Sequence, residues 1–111
     1  MEITVSEPWL SHIQKGRKDV EGRLNKGKFA ECKVGSVLII SGTKRKKTVA
    51  VVTKVVKYGS FEEYLTQEGL SHTLPGVSTI REGVSIYRRF YSVEMEKEHG
   101  VLALHMVLAS Q

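Results

Sequence analysis

The chain has 111 residues, 41% of them hydrophobic, and a formal net charge of +5. That length suits one domain spanning residues 1–111 with enough apolar material for a single core, which excludes disorder throughout. No run approaches the ~20 apolar residues of a membrane span, and the first residues lack the basic and apolar regions of a signal peptide, so no membrane partner is expected and the expected setting is intracellular, cytoplasmic or, in a eukaryote, nuclear.

Ile3–Val5 opens the chain as a short strand. Ser6 is placed as an N-cap and Pro8 in the first turn of a helix whose apolar face is Trp9, Leu10 and Ile13. Gly16 ends that helix in a left-handed turn. Lys18 to Leu24 reads as extended, followed by a turn at 25–28 and a single helical turn at 29–32. Val37–Ile40 is an apolar strand, and Thr48–Tyr58 is the clearest one, rich in β-branched residues and apolar on both faces in its first half. Such a strand is expected to be covered on both sides.

Ser60 and Glu63 form a capping box ahead of a helix that stops near Gly69. Residues 71–78 read as a loop, with a turn at Leu74-Pro75-Gly76. Thr79 and Glu82 form a second capping box, and Val84, Tyr87 and Tyr91 share a helical face. Glu94–His99 is polar, with no periodic apolar face. Val101–Leu108 is the last strand, and its even positions Leu102, Leu104, Met106 and Leu108 should face the core. Strands this close together leave no room for crossover helices in the middle of the chain, which points to an α+β fold, a curled mixed sheet with two or three packed helices.

The only cysteine, Cys32, excludes an internal disulfide, and without paired cysteines or ligand-like histidine spacing no metal and no cofactor is expected. Charge is uneven. Residues 1–60 hold thirteen Lys and Arg against five Asp and Glu, a net +8, while residues 61–111 hold four against seven, a net −3. The basic half includes Arg17 and the run Lys44, Arg45, Lys46 and Lys47, which suits the phosphate backbone of a nucleic acid, although such a run between two strands is also a common solvated hairpin tip.

Several segments together resemble the ASCH domain family of the PUA-like fold. Gly16-Arg17-Lys18-Asp19-Val20-Glu21-Gly22-Arg23 looks like the family's G-x-K-x-x-E-x-R signature. Lys33 to Ile40, Tyr58 to Leu65, Tyr87 to Tyr91 and Gly100 to Leu104 follow in the family's order. The resemblance implies a PUA-like curled β-barrel with a cleft beside the signature strand. It also implies links to RNA binding, transcriptional coactivation or ribonuclease activity. Small bacterial members resemble amidohydrolases acting on N4-acetylcytidine, which use a Lys, a Thr three residues later and a Glu further on. Lys18 matches the Lys, but Glu21 stands at the Thr position, and a carboxylate cannot serve as the hydroxyl nucleophile.

Lys18 can pair with a phosphate or polarise a carbonyl, Glu21 can accept hydrogen bonds from an exocyclic amine, and Arg23 offers a planar fork to phosphate or carboxylate. Alternation puts Asp19, Glu21 and Arg23 on one strand face, which Lys18 joins only where the strand is irregular. The competing reading is an ion-pair ladder with no ligand. Tyr87, Arg88, Arg89 and Tyr91 are the candidate stacking and phosphate-holding cluster, with Tyr87 and Tyr91 as core-facing helix residues the competing reading. Trp9, Tyr58 and Phe61 are assigned to the core, Glu94 and Glu96 to solvated surface, and His12 and His105 to local hydrogen bonds. The expected function is therefore an RNA- or nucleotide-binding module, with RNA or a modified nucleoside held by Lys18, Glu21, Arg23, Tyr87, Arg88 and Tyr91. The alternative is an amidohydrolase on acylated nucleosides, with Lys18 and Glu21 as its catalytic residues. A ribonuclease or a protein-interaction module ranks below both.

Overall fold

The computed structural model describes residues 1–43 and 47–109. Five strands form one curled sheet: β1 (Glu2–Thr4), β2 (Val20–Leu24), β3 (Val37–Ser41), β4 (Thr48–Tyr58) and β5 (Val101–Leu108). Their order is β1-β3-β4-β5-β2, with β1 parallel to β3 and every other pairing antiparallel. A bulge between Val52 and Lys54 bends β4 where it pairs with β5, and this irregularity helps the sheet to curl. The helices are α1 (Trp9–Gln14), α2 (Phe61–Glu68), the single turn α3 (Leu70–Thr73), α4 (Ile80–Arg88) and α5 (Val93–His99), with a 3₁₀ turn at Gly27–Glu31.

β5 lies between β4 and β2 and is buried on both faces over its first half. Leu102, Leu104 and Met106 point into the curl, against Leu38, Ile40, Ala50, Val52 and the α1 residues Leu10 and Ile13. Val101 and Ala103 point the other way, into a second core with Phe61, Tyr64, Leu65 and Leu74. The strand expected to be covered on both sides was β4, and there the structure differs. Val49 is 39% exposed, and Val51 is only partly buried. The helices leave β4 at Tyr58 and return to β5 at Val101, two residues that pair directly, so they cover that end of the antiparallel pair and not the other. For the same reason Val107 is exposed, and Leu108, expected in the core, is 38% exposed past the end of the interior.

The two edge strands, β1 and β2, are joined by side chains and not by a ladder. Arg23 on β2 donates from Nη2 to the Thr4 carbonyl at 2.7 Å, and the Lys28 ammonium reaches the Glu2 carbonyl. Two outward carbonyls of β1, two residues apart, are thus satisfied by cations from the β2 side.

Local signals account for most of the helix boundaries. Ser60 and Thr79 accept from the backbone N–H of Glu63 and Glu82, as capping boxes require. Gly16 ends α1 with φ at +77°. Three expectations need correction. Ser6 does not cap α1; the Glu7 carboxylate takes the Ser11 N–H instead. The expected loop at 71–78 begins inside the turn α3. Glu94–His99 lies within a helix, capped by Ser92, that displays no apolar stripe because its buried side chain is Glu96.

Gly22 on β2 lies against the ring of the fully buried Tyr64. A Cβ there would sit 2.6 Å from Tyr64 Cζ. Gly22→Ala should therefore lower stability by about 1–3 kcal/mol through overpacking. Gly59→Ala, which meets nothing within 4 Å, should stay within about 0.5 kcal/mol of the parent. Urea unfolding of both variants checks this, and equal midpoints would contradict it.

Candidate ligand-binding cleft

The segment leading into β2 is tied down before the strand begins. The backbone N–H groups of Arg17 and Lys18 both donate to the His12 carbonyl of α1, and that of Asp19 donates to His72. Because β2 starts only at Val20, Lys18 is free of strand alternation and its side chain reaches Glu21. Asp19 does not join them, contrary to expectation: its carboxylate pairs with His72 Nδ1 at 2.9 Å on the surface.

Lys18, Glu21 and Arg23 form a line of alternating charge, buried at Lys18 and Glu21 and partly exposed at Arg23. Lys18 is 2% exposed and Glu21 6%. Lys18 Nζ donates to the carbonyls of Val20 (2.8 Å) and Thr73, and lies 3.4 Å from Glu21 Oε1. These three partners match the three donors of an ammonium. Glu21 Oε2 accepts from Arg23 Nε at 2.7 Å. The Arg23 guanidinium also lies over the Phe29 ring, 4.9 Å from its centroid.

Burial would raise the Glu21 carboxyl, but the charges of Lys18 and Arg23 outweigh it and hold the group below its ordinary value. Burial pulls the Lys18 ammonium below its ordinary value even though Glu21 opposes the shift. Burial also works against Arg23, yet Glu21 lifts it above its usual range. The floor is thus a carboxylate that stays ionised, braced by two cations.

A cleft of about 120 Å³ opens above this line, along the free edge of β2. Val5, Ser6 and Trp9 form one side, and Leu74, Ile86, Tyr87, Phe90 and Tyr91 the other. Phe61 stacks between Tyr87 and Tyr91, with centroids 4.4 and 5.4 Å away, and so fixes both rings. The Tyr87 and Tyr64 hydroxyls meet at 3.4 Å, and burial raises both phenols, so they stay neutral.

Of the residues singled out from sequence, Lys18, Glu21, Arg23, Tyr87 and Tyr91 converge on this cleft. Arg88 does not line it. One helical position past Tyr87, it turns away and binds Glu96 through Nη2 at 3.0 and 3.1 Å. Glu96 also accepts the Phe61 N–H at 2.9 Å, so it is a buried tie between α4, α5 and α2, not the solvated residue expected. Arg17 is exposed in the turn before β2, and Lys47 pairs with Glu2 at 3.2 Å on the surface. Lys44, Arg45 and Lys46 lie outside the described residues. His105 Nε2 is 2.9 Å from Glu68 Oε1.

Sequence reasoning passed over Trp9, Thr73, Leu74, Ile86 and Phe90. Trp9 was assigned to the core from its spacing; it is half-buried and packs against both cores while lining the cleft. Thr73 holds Lys18 through its carbonyl, a group every residue has, so no residue-type signal marked it.

A curled mixed sheet with helices over one end is the PUA-like architecture. The ASCH domain profile matches residues 3–109, and the chain belongs to the ASCH domain family. That family is generally proposed to bind RNA. The crystal structure of a hypothetical protein, PH0355, is 38% identical with a TM-score of 0.90, covering 97% of each chain. The solution structure of protein PF0455 from Pyrococcus furiosus is also 38% identical, with a TM-score of 0.79 over 100% of each chain. An ASCH protein from Zymomonas mobilis, 16% identical with a TM-score of 0.61, shares the fold over 96% of this chain and 65% of its own. No match was found among curated proteins. No helix among the described residues is long and apolar enough to cross a membrane.

Replacing Glu21 by Gln leaves Lys18 and Arg23 as uncompensated buried cations, which should cost about 3–5 kcal/mol. The pH dependence carries a sign. Glu21 has a depressed folded-state pKa, so its contribution is present above the ordinary carboxylate range and is lost as pH falls through the lower folded value. Urea unfolding across acid pH should show that loss in the parent and its absence in Glu21→Gln; parallel curves would contradict the assignment.

Proposed function

We propose that this protein is an RNA-binding module that takes one nucleobase, ordinary or modified, into the cleft at β2, with phosphate attracted by the surrounding basic surface. The observation that carries this reading is an ionised, buried carboxylate at the floor of a cleft with neutral aromatic walls. Glu21 is an acceptor for the amine or ring N–H groups of a base, since each carboxylate oxygen retains acceptor capacity beyond its contact with Lys18 or Arg23. Lys18 has its donors engaged within the protein and acts by positioning Glu21. Arg23 uses two of the five N–H groups of a guanidinium in its described bonds, which leaves donors for a carbonyl or phosphate. Tyr87 and Tyr91 supply the stacking wall.

Size narrows the ligand. The cleft, at about 120 Å³, is well below the roughly 300–1,000 Å³ of pockets that enclose a whole drug-sized ligand. It has room for one heterocyclic ring, with sugar and phosphate left outside.

The second reading, an amidohydrolase on acylated nucleosides, draws support from Lys18, whose lowered pKa favours proton transfer. The same environment weakens Glu21 as a general base, because the cations that hold it ionised lower its basicity. Release of cytidine from N4-acetylcytidine, abolished in Glu21→Gln, would favour hydrolysis over binding.

Trp9 is the only tryptophan and lines the cleft, so its emission reports occupancy directly. Titration with short RNAs should change that emission. Tyr91→Ala should weaken binding by about 1–3 kcal/mol, the worth of one stacked base. Alanine at Lys44, Arg45, Lys46 and Lys47 together should weaken binding of all sequences alike and flatten its salt dependence. Binding insensitive to Tyr91→Ala would sink the cleft assignment, and an unchanged salt slope would remove the basic run from it.

A further inference from the structure

A second pocket of about 330 Å³ adjoins the cleft. Tyr91 lines both. Arg23 in the cleft lies over Phe29, which lines the second pocket. The floor of that pocket is apolar (Leu24, Phe29, Tyr91 and Met95), and its charged lining residues are Lys26 and Lys28. Across the two sites three cations with donors to spare, Arg23, Lys26 and Lys28, face one anion, Glu21, whose other neighbour Lys18 is fully engaged within the protein. That is the pattern of a path for a polyanion carrying flat apolar groups.

A pocket also adjoins Lys18 on its other side, lined by Ile13, Asp19 and the end of β5. Its charge argues against it. Lys18 is its one lining cation, with all three donors engaged, and Asp19 adds a negative charge. A phosphodiester leaving the cleft is attracted towards Lys26 and Lys28 and repelled at Asp19.

We infer that the ligand is a single RNA strand and not a free nucleoside: the neighbouring nucleotide lies in the second pocket, its base against Tyr91 and Met95 and the linking phosphate held by Lys26 and Lys28. This rests on the reading of the β2 cleft as a base-binding site. It also explains how a cleft too small for a nucleotide can hold one, since the remainder has a built place to go.

The test compares ribonucleosides with the dinucleoside monophosphates built from them, following Trp9 emission. The dinucleoside should bind tighter by about five- to 150-fold, the gain one stacked base supplies. Lys26→Gln, and independently Met95→Glu, should remove that gain and leave nucleoside affinity unchanged. If a dinucleoside binds no tighter than its nucleoside, or the gain survives both substitutions, the second site is wrong while the base-binding cleft stands. If neither probe binds, both readings fall.

Discussion

A carboxylate taken out of water stays charged only where cations or hydrogen-bond donors compensate it, and Glu21 has a cation on each side. Lys18 reaches it from the turn after α1 and Arg23 from two residues along β2. Each cation is in turn anchored to a different part of the protein, Lys18 to the Thr73 carbonyl at the end of α3 and Arg23 to the Thr4 carbonyl of β1. One buried ion chain therefore ties the helical layer to the opposite edge of the sheet. Removing its centre costs far more than an exposed salt bridge would, because the partners left behind are desolvated too.

The same chain deals with the exposed edge of β2. An unpaired strand edge invites association with another chain, and charges pointing inward along such an edge are one way of discouraging it. Here they also floor a cleft. Closing the seam with side chains, not a backbone ladder, leaves a gap between the edge strands. Tyr87, Tyr91 and Trp9 then wall that gap. Structural closure and the proposed ligand recognition draw on the same residues, so stability and binding are expected to be coupled at Glu21 and Arg23 and separable at Tyr91 and Lys26.

Much of the fold was legible. β4 and β5 have the ends that β-branched and alternating patterns indicate, and α2 and α4 start at their capping boxes. The signature segment located the cleft floor. What failed has a common cause. α5 was missed because its inward residue is a glutamate, whose burial depends on Arg88 eight residues earlier and on the Phe61 N–H. Arg88 was misplaced because adjacent helix positions point in different directions, and only the packing of α4 decides which of them meets the cleft. Trp9 looked like core because a half-buried wall residue has the same spacing as a buried one.

The sequence by itself determined the strands, the helices α1, α2 and α4, the family, and the residues that could carry charge into the interior, because these follow from local periodicity, capping and residue type. Tertiary structure decided which of those charges meet. Lys18 joins Glu21 because β2 begins two residues after it; Asp19 leaves for His72; and Thr73, fifty-five residues from Lys18, supplies the carbonyl that holds it. It also decided the cleft's width and where it leads. Both depend on where α4 comes to lie beside α1 and β2, from which it is distant in the chain, and no local pattern encodes such a placement.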